Sequence, residues 1–219
     1  IFRKESLHRF EEIVSFITKL KCKYALSVRE IALCDLVNWE IKSDCIEHSE
    51  GKYFRVIATD IEINNREVKK WSQPLVEPRQ EGLCALVSKE ICGTLHFAIQ
   101  MKLECGNFDL LEFSPTVQCL TDNYLKKDSQ ELPFLNYVLN VPKEKIIFDT
   151  LQSEEGGRFY REQNRNLIVL AGDEVSRDLP DGYIWMTFRQ LHQFIRHNNY
   201  INIQARSLIA ALSFLKKVD

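Results

Sequence analysis

The sequence predicts an α+β fold in which a mixed or antiparallel sheet is flanked by helices. Runs rich in β-branched residues occupy the middle of the chain, at 53–63 and 94–103 among others, and such runs bounded by turn residues favour strands. Apolar residues recur at helical spacing near the two ends, over 6–23 and 203–215, which indicates amphipathic helices. No linker rich in Pro, Gly or Ser and no internal repeat divides the sequence, so we predict a single domain over 1–219.

The elements between the two ends are predicted from the same periodicities. A hairpin is expected from 82–87 and 94–103, because two apolar runs flank a short turn near 91–93. Thr187 should cap a helix, since a Thr directly before an apolar-periodic run is a good N-cap. The other predicted pieces are a strand-like piece at 27–31, a half turn at 36–39, short helical pieces at 122–127 and 134–139, and strands at 145–148, 166–170 and 183–186.

The segment 65–78 is predicted to be an extended loop. Pro74 and Pro78 exclude a regular helix there, because proline lacks an amide hydrogen and restricts the residue before it. The segment carries the polar and aromatic side chains of Arg66, Trp71, Gln73 and Glu77. A Trp in a proline-bounded loop suits stacking on a flat ring, and it equally suits a lid over the core.

Polar side chains alternate with apolar ones along 110–120. The alternation puts on one strand face the side chains of Glu112, Ser114, Thr116 and Gln118. Pro115 within this run indicates a bulge or an edge strand. A wet outer surface and a ligand pocket both explain such a polar face.

Composition and charge are those of an ordinary soluble globular protein. Hydrophobic residues make up 45% of the sequence and charged residues 27%, with a net charge of -2. A nearly neutral chain lacks the basic field that binds phosphate backbones, so nucleic acid is not expected as the main partner. No apolar run approaches the roughly 20 residues needed to cross a bilayer, and no signal peptide is visible at the start. We therefore expect no membrane partner.

The seven cysteines are predicted to be free, buried thiols in a reducing cytosol, since most of them lie inside apolar runs. Their number is odd and no CxxC pair occurs, which is atypical of a disulfide framework or of a zinc site. The five histidines form no HExxH or similar set. We therefore expect a cytoplasmic protein without a bound metal.

The polar stretch 149–165 lies between two of the predicted strands. It holds adjacent carboxylates, consecutive glycines and basic or phenolic side chains: Glu154, Glu155, Gly156, Gly157, Arg158 and Tyr160. Glycines permit unusual backbone angles and a close approach by another group, and the side chains supply acid, base and anion-binding chemistry. A strand–turn–helix connection with a solvated charge cluster is the alternative interpretation.

Four segments together resemble those of a known enzyme family. They are Asn65 to Pro78, with Trp71-x-Gln73-Pro74; Ser114-Pro115-Thr116-Val117-Gln118; Gln152 to Phe159, with Glu154-Glu155-Gly156-Gly157-Arg158; and Asn202 to Leu208. On these segments, and over almost the whole chain, the sequence resembles the NDP-hexose 2,3-dehydratases of deoxysugar biosynthesis.

The resemblance implies a Nudix-like fold. Family members are about twice as long as this chain and contain two tandem copies of that fold. The chain matches one copy, more like the C-terminal one, and so looks like half of the usual protein. A homodimer would restore the two-copy arrangement.

The resemblance also implies a reaction. The substrate would be dTDP-4-keto-6-deoxyglucose, which loses water across C2 and C3 to give a 3,4-diketo-2,6-dideoxy sugar, and no cofactor is required. The sequence has no REUxEE box to hold Mg²⁺, so metal-dependent pyrophosphate hydrolysis is disfavoured. A nucleotide-sugar binding module without activity and a Nudix-type pyrophosphohydrolase are the alternatives.

Within that reaction, the matching residues receive expected roles. Glu154 or Glu155 would be the base that removes the C3 proton, and Tyr160 would donate a hydrogen bond to the enolate or to the leaving hydroxyl. The sugar hydroxyls would be held by Gln73, Gln118 and Gln152, the diphosphate by Arg66, Arg158 and Arg206, and the thymine ring by Trp71. The structural alternatives are a Glu154–Arg158 ion pair at helical spacing, a core position for Tyr160 and a helix-to-loop bridge for Arg206.

Overall fold

The computed structural model describes residues 6–124 and 131–213, and these residues form two compact units. The larger unit contains the described parts of 1–28, 83–150 and 165–219, and the smaller unit contains 29–82 and 151–164. Strands and helices are both present in the described chain, which confirms the predicted α+β class. That the chain is one domain, equivalent to one copy of a two-copy protein, stays a prediction.

The regular elements follow the chain from an N-terminal helix to a C-terminal one. The α-helices are α1 Phe10–Lys23, α2 Leu135–Leu139, α3 Phe188–Phe194 and α4 Ile203–Leu212. The strands are β1 Trp39–Ile41, β2 Cys45–His48, β3 Phe54–Glu62, β4 Lys70–Pro78, β5 Gly82–Ile91, β6 Thr94–Leu103, β7 Leu111–Ser114, β8 Val117–Leu120, β9 Ile146–Ser153, β10 Gln163–Ala171 and β11 Tyr183–Thr187. Short 3₁₀ turns lie at Leu33–Asp35, Thr121–Asn123 and Lys143–Lys145. Within the described ranges, no helix combines the length and the apolar character needed to cross a bilayer.

The larger unit is built on a seven-stranded sheet in the order β11-β6-β5-β10-β9, with β7 paired to β6 and β8 paired to β5. Cys84 and Leu86 of β5 belong to an apolar cluster that includes buried residues of α1, α3 and α4. Leu83, Ala85 and Val87 belong to a second cluster that includes buried residues of α2. Because successive side chains of a strand point to opposite faces, this sheet carries a core on each face and β5 is buried between them.

The hairpin of β5 and β6 confirms its prediction. Val87 pairs with Ala98 and Ile91 with Thr94 in an antiparallel register. The turn residues Cys92 and Gly93 have φ of 52° and 73°. Two consecutive positive φ angles are what a two-residue hairpin turn needs to match the twist of its strands.

The polar face predicted along 110–120 is largely buried, so a wet outer surface there is wrong for its middle residues. Ser114 and Thr116 have no exposed surface. The Thr116 hydroxyl accepts a hydrogen bond from the Val87 amide at 2.9 Å and donates to the Ala98 carbonyl. The run is interrupted at Pro115 between β7 and β8, and directly after it the buried Thr116 hydroxyl finds its partners in the backbone of β5 and β6.

The smaller unit contains a four-stranded antiparallel sheet in the order β1-β2-β3-β4. The prediction of an extended loop over 65–78 is wrong for 70–78, which forms β4 and pairs with β3 from Glu62↔Lys70 to Phe54↔Pro78. Two prolines are tolerated because β4 lies at the end of the strand order, and edge strands do not need every amide.

Several smaller boundaries also differ from the sequence predictions. Helix α1 begins at Phe10 and not at Ser6, since the Glu12 carboxylate accepts from the Arg9 amide at 2.8 Å and fixes the helix start there. The piece at 27–31 is not a strand. The half turn predicted at 36–39 is present as a turn at 37–38, directly before β1. Parts of the predicted helices at 122–127 and 203–215 lie outside the described residues.

The predicted cap at Thr187 is confirmed. Its hydroxyl accepts from the Gln190 amide at 3.3 Å, and the Gln190 side chain accepts from the Thr187 amide at 2.9 Å. The two residues form a reciprocal capping box at the start of α3.

A buried histidine ties the segment before α1 to strand β6. His96 has no exposed surface, its Nε2 accepts from the Leu7 amide at 2.9 Å, and its Nδ1 lies 2.9 Å from the Thr94 carbonyl oxygen. These partners require a neutral ring with the proton on Nδ1. Burial lowers the pKa of His96, the bond to Thr94 acts in the opposite sense, and the nearby His8 lowers it further.

We expect this histidine to make the fold less stable in mild acid. Its pKa in the folded chain lies below the unfolded value of about 6.5, so the unfolded chain takes up the proton more readily. The contribution of the neutral His96 to the free energy of unfolding is therefore fully present above about pH 6.5 and falls as the pH drops below it. His96→Gln should flatten the dependence of the free energy of unfolding on pH between about pH 7.5 and about pH 5.5, measured by urea denaturation. His192→Gln, on the exposed side of α3, is the control, and an unchanged slope in the His96 variant would contradict the assignment.

Candidate functional site

The polar segment 154–162 joins β9 to β10 in the smaller unit. Its ends are held together because the Glu154 amide donates to the Glu162 carbonyl at 3.0 Å. Its middle lies along β4, where the Val76 amide donates to the Arg158 carbonyl at 2.8 Å and the Tyr160 amide donates to the Val76 carbonyl at 2.7 Å. The connection is strand–turn–strand, so the strand–turn–helix alternative is wrong.

Glu154 is oriented by a buried amide. The Asn164 Nδ2 donates to Glu154 Oε1 at 2.7 Å, and Asn164 is 8% exposed. A Cβ on Gly82 would stand 2.0 Å from Asn164 Oδ1, so the absence of a side chain at position 82 makes room for this amide. The alternative in which Glu154 pairs with Arg158 is wrong, because the partner of Arg158 is Glu155.

A second carboxylate, Glu162, belongs to the same cluster and was missed in the sequence. Burial raises the pKa of the half-buried Glu162, the charge of Glu154 raises it further, and a hydrogen bond with Asn164 acts in the opposite sense. Glu162 directly precedes β10 and Asn164 is the second residue of that strand, so on extended backbone the two side chains share a face. The spacing of Glu162 and Asn164 could be read from the sequence. Their proximity to Glu154 could not, because it depends on how the strands pair.

Gln73 connects β4 to the glycine turn. Its Oε1 accepts from the Trp71 indole at 2.7 Å, and its Nε2 donates to the Gly157 carbonyl at 2.8 Å. The Gln73 side chain thereby fixes the edge of the indole ring.

An open cavity of about 610 Å³ lies beside Trp71. Its other lining residues are Asn65, Arg66, Glu67 and Val68. The structure thus brings Arg66 and Trp71 to one hollow within the smaller unit. An aromatic ring beside a guanidinium group is a combination that suits a planar, anionic ligand.

Glu155 and Arg158 lie on the outer side of the segment. Their side chains are 58% and 75% exposed and approach each other at 3.4 Å. An ion pair this exposed contributes little to stability, which leaves both groups available to a ligand.

Tyr160 and Gln152 are half-buried in the same unit. The guanidinium carbon of Arg161 lies 5.1 Å from the centre of the Tyr160 ring, close enough for a cation–π interaction.

Gln118 and Arg206 lie in the larger unit and not in the smaller one. Gln118 is already engaged: its Nε2 donates to Glu104 at 3.1 Å, and its Oε1 accepts from Asn202 at 2.7 Å. Arg206 is exposed on α4. Burial raises the pKa of Glu112, and the charge of Arg206 acts against that rise, so Arg206 faces a carboxylate of its own unit.

Two curated proteins with the same name are similar to the chain over most of its length. The dTDP-4-dehydro-6-deoxy-alpha-D-glucopyranose 2,3-dehydratase of Streptomyces violaceoruber is 41% identical over 97% of this chain and 48% of that protein. The protein of that name from Saccharopolyspora spinosa is 39% identical over 93% of this chain and 42% of its own length. The chain therefore spans about half the length of the curated relatives it matches.

Solved structures resemble the chain less closely. A crystal structure of an ADP compounds hydrolase has 9% identity and a TM-score of 0.43, over 82% of this chain and 94% of that chain. A score this low does not identify a fold family, and the Nudix-like fold stays a prediction.

The family comparison is more decisive than the structural one. The family model described as NDP-hexose 2,3-dehydratase matches residues 10–212, which include all four of the segments singled out in the sequence. The chain therefore belongs to the NDP-hexose 2,3-dehydratase family.

Proposed function

We propose that the chain catalyses, or forms half of the protein that catalyses, the 2,3-dehydration of dTDP-4-keto-6-deoxyglucose. The observation that carries this proposal is the 41% identity to a dehydratase of that name over 97% of the chain. The carboxylate cluster and the Trp71 cavity, both in the smaller unit, support it with suitable chemistry.

The proposed reaction begins at C3 of the sugar. The 4-ketone acidifies the C3 hydrogen, and a carboxylate base removes it to leave an enolate. The enolate then expels the C2 hydroxyl, which takes up a proton from a general acid and leaves as water. The resulting enol is the tautomer of the 3,4-diketo-2,6-dideoxy sugar. No electrons are exchanged with a carrier, so the chemistry needs no redox cofactor.

Glu154 is the better of the two candidate bases. It is half-buried and oriented by Asn164, whereas Glu155 is 58% exposed and paired with Arg158. A base must be held near the proton it removes, so orientation favours Glu154. Tyr160, close by in the sequence, is proposed to donate to the enolate oxygen.

The nucleotide is proposed to bind at the Trp71 cavity. Thymine would stack on the indole face, and Arg66 would bind the diphosphate, where a guanidinium fork matches phosphate oxygens. Gln73 uses both ends of its amide within the protein, so we assign it the positioning of Trp71. The remaining expected contacts, from Gln118, Gln152, Arg158 and Arg206, stay proposals.

We also propose that the chain forms a homodimer. In the smaller unit, the segment 31–41 exposes large apolar side chains: Ile31 50%, Leu33 60%, Val37 78% and Ile41 55%. A run of exposed apolar residues is typical of an interaction surface. That curated relatives are about twice as long supports a second copy of this chain as the partner.

A reducing cytosolic location is part of the same proposal. No disulfide joins any of the seven cysteines, all of which lie within the described residues. Cys45 and Cys84 are buried, whereas Cys22, Cys34, Cys92 and Cys105 are exposed, so the predicted burial is wrong for those four. Cysteines without disulfides are usual where disulfides do not persist.

The activity is tested by supplying dTDP-4-keto-6-deoxyglucose together with a 3-ketoreductase and NADPH. NADPH should be consumed only when the chain supplies the diketo sugar. Glu154→Gln should lower the rate about 10²- to 10⁴-fold, as expected for the loss of a general base, and Glu155→Gln should lower it less than about tenfold. Wild-type rates in both variants would refute a catalytic role for this pair.

This assay, together with a measurement of dTDP binding, separates the alternatives. A chain that binds dTDP but supports no NADPH consumption would be an inactive binding module. Release of phosphate-bearing products that depends on Mg²⁺ would indicate a pyrophosphohydrolase and count against the dehydratase.

A second experiment tests the nucleotide site. Gln73→Leu removes the hydrogen bond to the Trp71 indole. The loss of this bond, about 1 kcal/mol, leaves the indole less well oriented and should weaken dTDP binding about fivefold. Isothermal titration calorimetry gives the dissociation constant. The control is Ser72→Ala, which changes the exposed neighbour of Gln73 on β4. Unchanged dTDP affinity in the Gln73 variant would contradict nucleotide binding at the Trp71 cavity.

A third experiment tests the dimer by mass in solution. Light scattering on a sizing column should give twice the chain mass for the wild type, and Leu33→Glu with Val37→Glu should give a monomer, because a buried unpaired charge opposes association. Leu139→Glu alters an exposed apolar residue outside this segment and should leave the dimer intact. A monomeric wild type with full activity would remove the proposal.

A further inference from the structure

Two carboxyl groups converge on a single amide in the smaller unit. The Glu154 amide donates to the Glu162 carbonyl at 3.0 Å, which places the two residues opposite each other where β9 and β10 meet the connecting segment. The Asn164 side chain donates to Glu154 at 2.7 Å and also hydrogen-bonds with Glu162. An amide nitrogen carries two hydrogens, so one side chain can serve both acids.

The amide is fixed from behind. Asn164 is 8% exposed, and its oxygen occupies the space that a side chain on Gly82 would need, with a Cβ only 2.0 Å away. A buried amide held in this way cannot turn without losing its partners. Asn164 therefore offers both acids a hydrogen-bond donor whose position is fixed.

Such a pair is suited to hold one proton. Two neighbouring carboxylates in a partly buried site resist double ionisation. Burial and the charge of Glu154 both raise the pKa of Glu162, so this carboxyl takes up a proton more readily than an ordinary Glu. The cluster can then present a carboxylate and a carboxylic acid side by side, as enzymes that run acid and base chemistry together do.

We propose that Glu154 and Glu162 form one acid–base pair, in which Glu154 removes the C3 proton and Glu162 gives its proton to the departing C2 hydroxyl. This role for Glu162 rests on the proposed dehydratase function. The C3–H bond breaks and its electrons become the enolate, the C2–O bond breaks as the C2–C3 double bond forms, and water leaves with the proton from Glu162. Both side chains are in partial contact with solvent, so Glu154 returns its proton to water and Glu162 takes one back.

The test separates proton removal from departure of the hydroxyl. In D₂O, the wild type and each variant receive dTDP-4-keto-6-deoxyglucose. Nuclear magnetic resonance follows deuterium entering at C3, and the coupled NADPH assay follows elimination. Glu162→Gln should eliminate about 10²- to 10⁴-fold more slowly, as expected for a lost general acid, yet exchange the C3 hydrogen within about threefold of wild type. Glu154→Gln should lose both reactions.

The matched control is Glu62→Gln, an exposed carboxylate at the end of β3, which should leave both rates unchanged. Glu162→Asp keeps an acid one methylene shorter and should recover at least about tenfold of the lost elimination rate. If Glu162→Gln does not fold, Glu162→Asp is compared with the wild type instead. It should retain C3 exchange and eliminate more slowly than the wild type.

The outcomes separate this inference from the proposed function. Suppose that the wild type eliminates. If Glu162→Gln then eliminates at the wild-type rate, or loses exchange and elimination equally, the acid role of Glu162 is overturned and the dehydratase function is retained. A wild type that neither exchanges nor eliminates overturns the proposal that this chain by itself catalyses the dehydration, and the acid–base pair with it.

Discussion

The close packing of the Asn164 amide against Gly82 is the constraint on which the arrangement of the site depends. Gly82 begins β5 and Asn164 follows the first residue of β10, so the contact is made where two strands start. A buried amide must keep its hydrogen-bond partners, and in this protein those partners include the carboxyl groups proposed for catalysis. Geometry that serves the sheet therefore also fixes the acids.

The site combines rigid and accessible parts. The carboxyl pair is held by a buried amide, and Trp71 is held by Gln73, so the groups that need orientation have it before a ligand arrives. Glu155 and Arg158 are largely exposed on the outer side of the same segment. This division suits the proposed elimination: the reacting atoms would need fixed geometry, and the charged nucleotide would enter from solvent.

The sequence was sufficient to predict those elements that are determined by residues close to one another in the chain. The β5–β6 hairpin, the Thr187 cap and the helical periodicity of α1 all arise from residues within a few positions of one another. The errors came from tertiary context. Proline in β4 suggested a loop because its position at an edge is not visible in the sequence. A wet surface stayed open as one interpretation of Ser114 and Thr116, because the Thr116 partners Val87 and Ala98 are distant in the chain. Glu162 was missed for the same reason, since Glu154 meets it only once the strands pair.

Proline also limits how β4 can associate with other chains. Pro74 has no amide hydrogen, so this edge cannot supply an unbroken ladder to an incoming strand, and Val76 already exchanges hydrogen bonds with Arg158 and Tyr160. Edges blocked in this way are protected against the strand-to-strand addition that leads to fibrils. An association along this border would have to rely on contacts between side chains, which limits its partners to surfaces of matching shape.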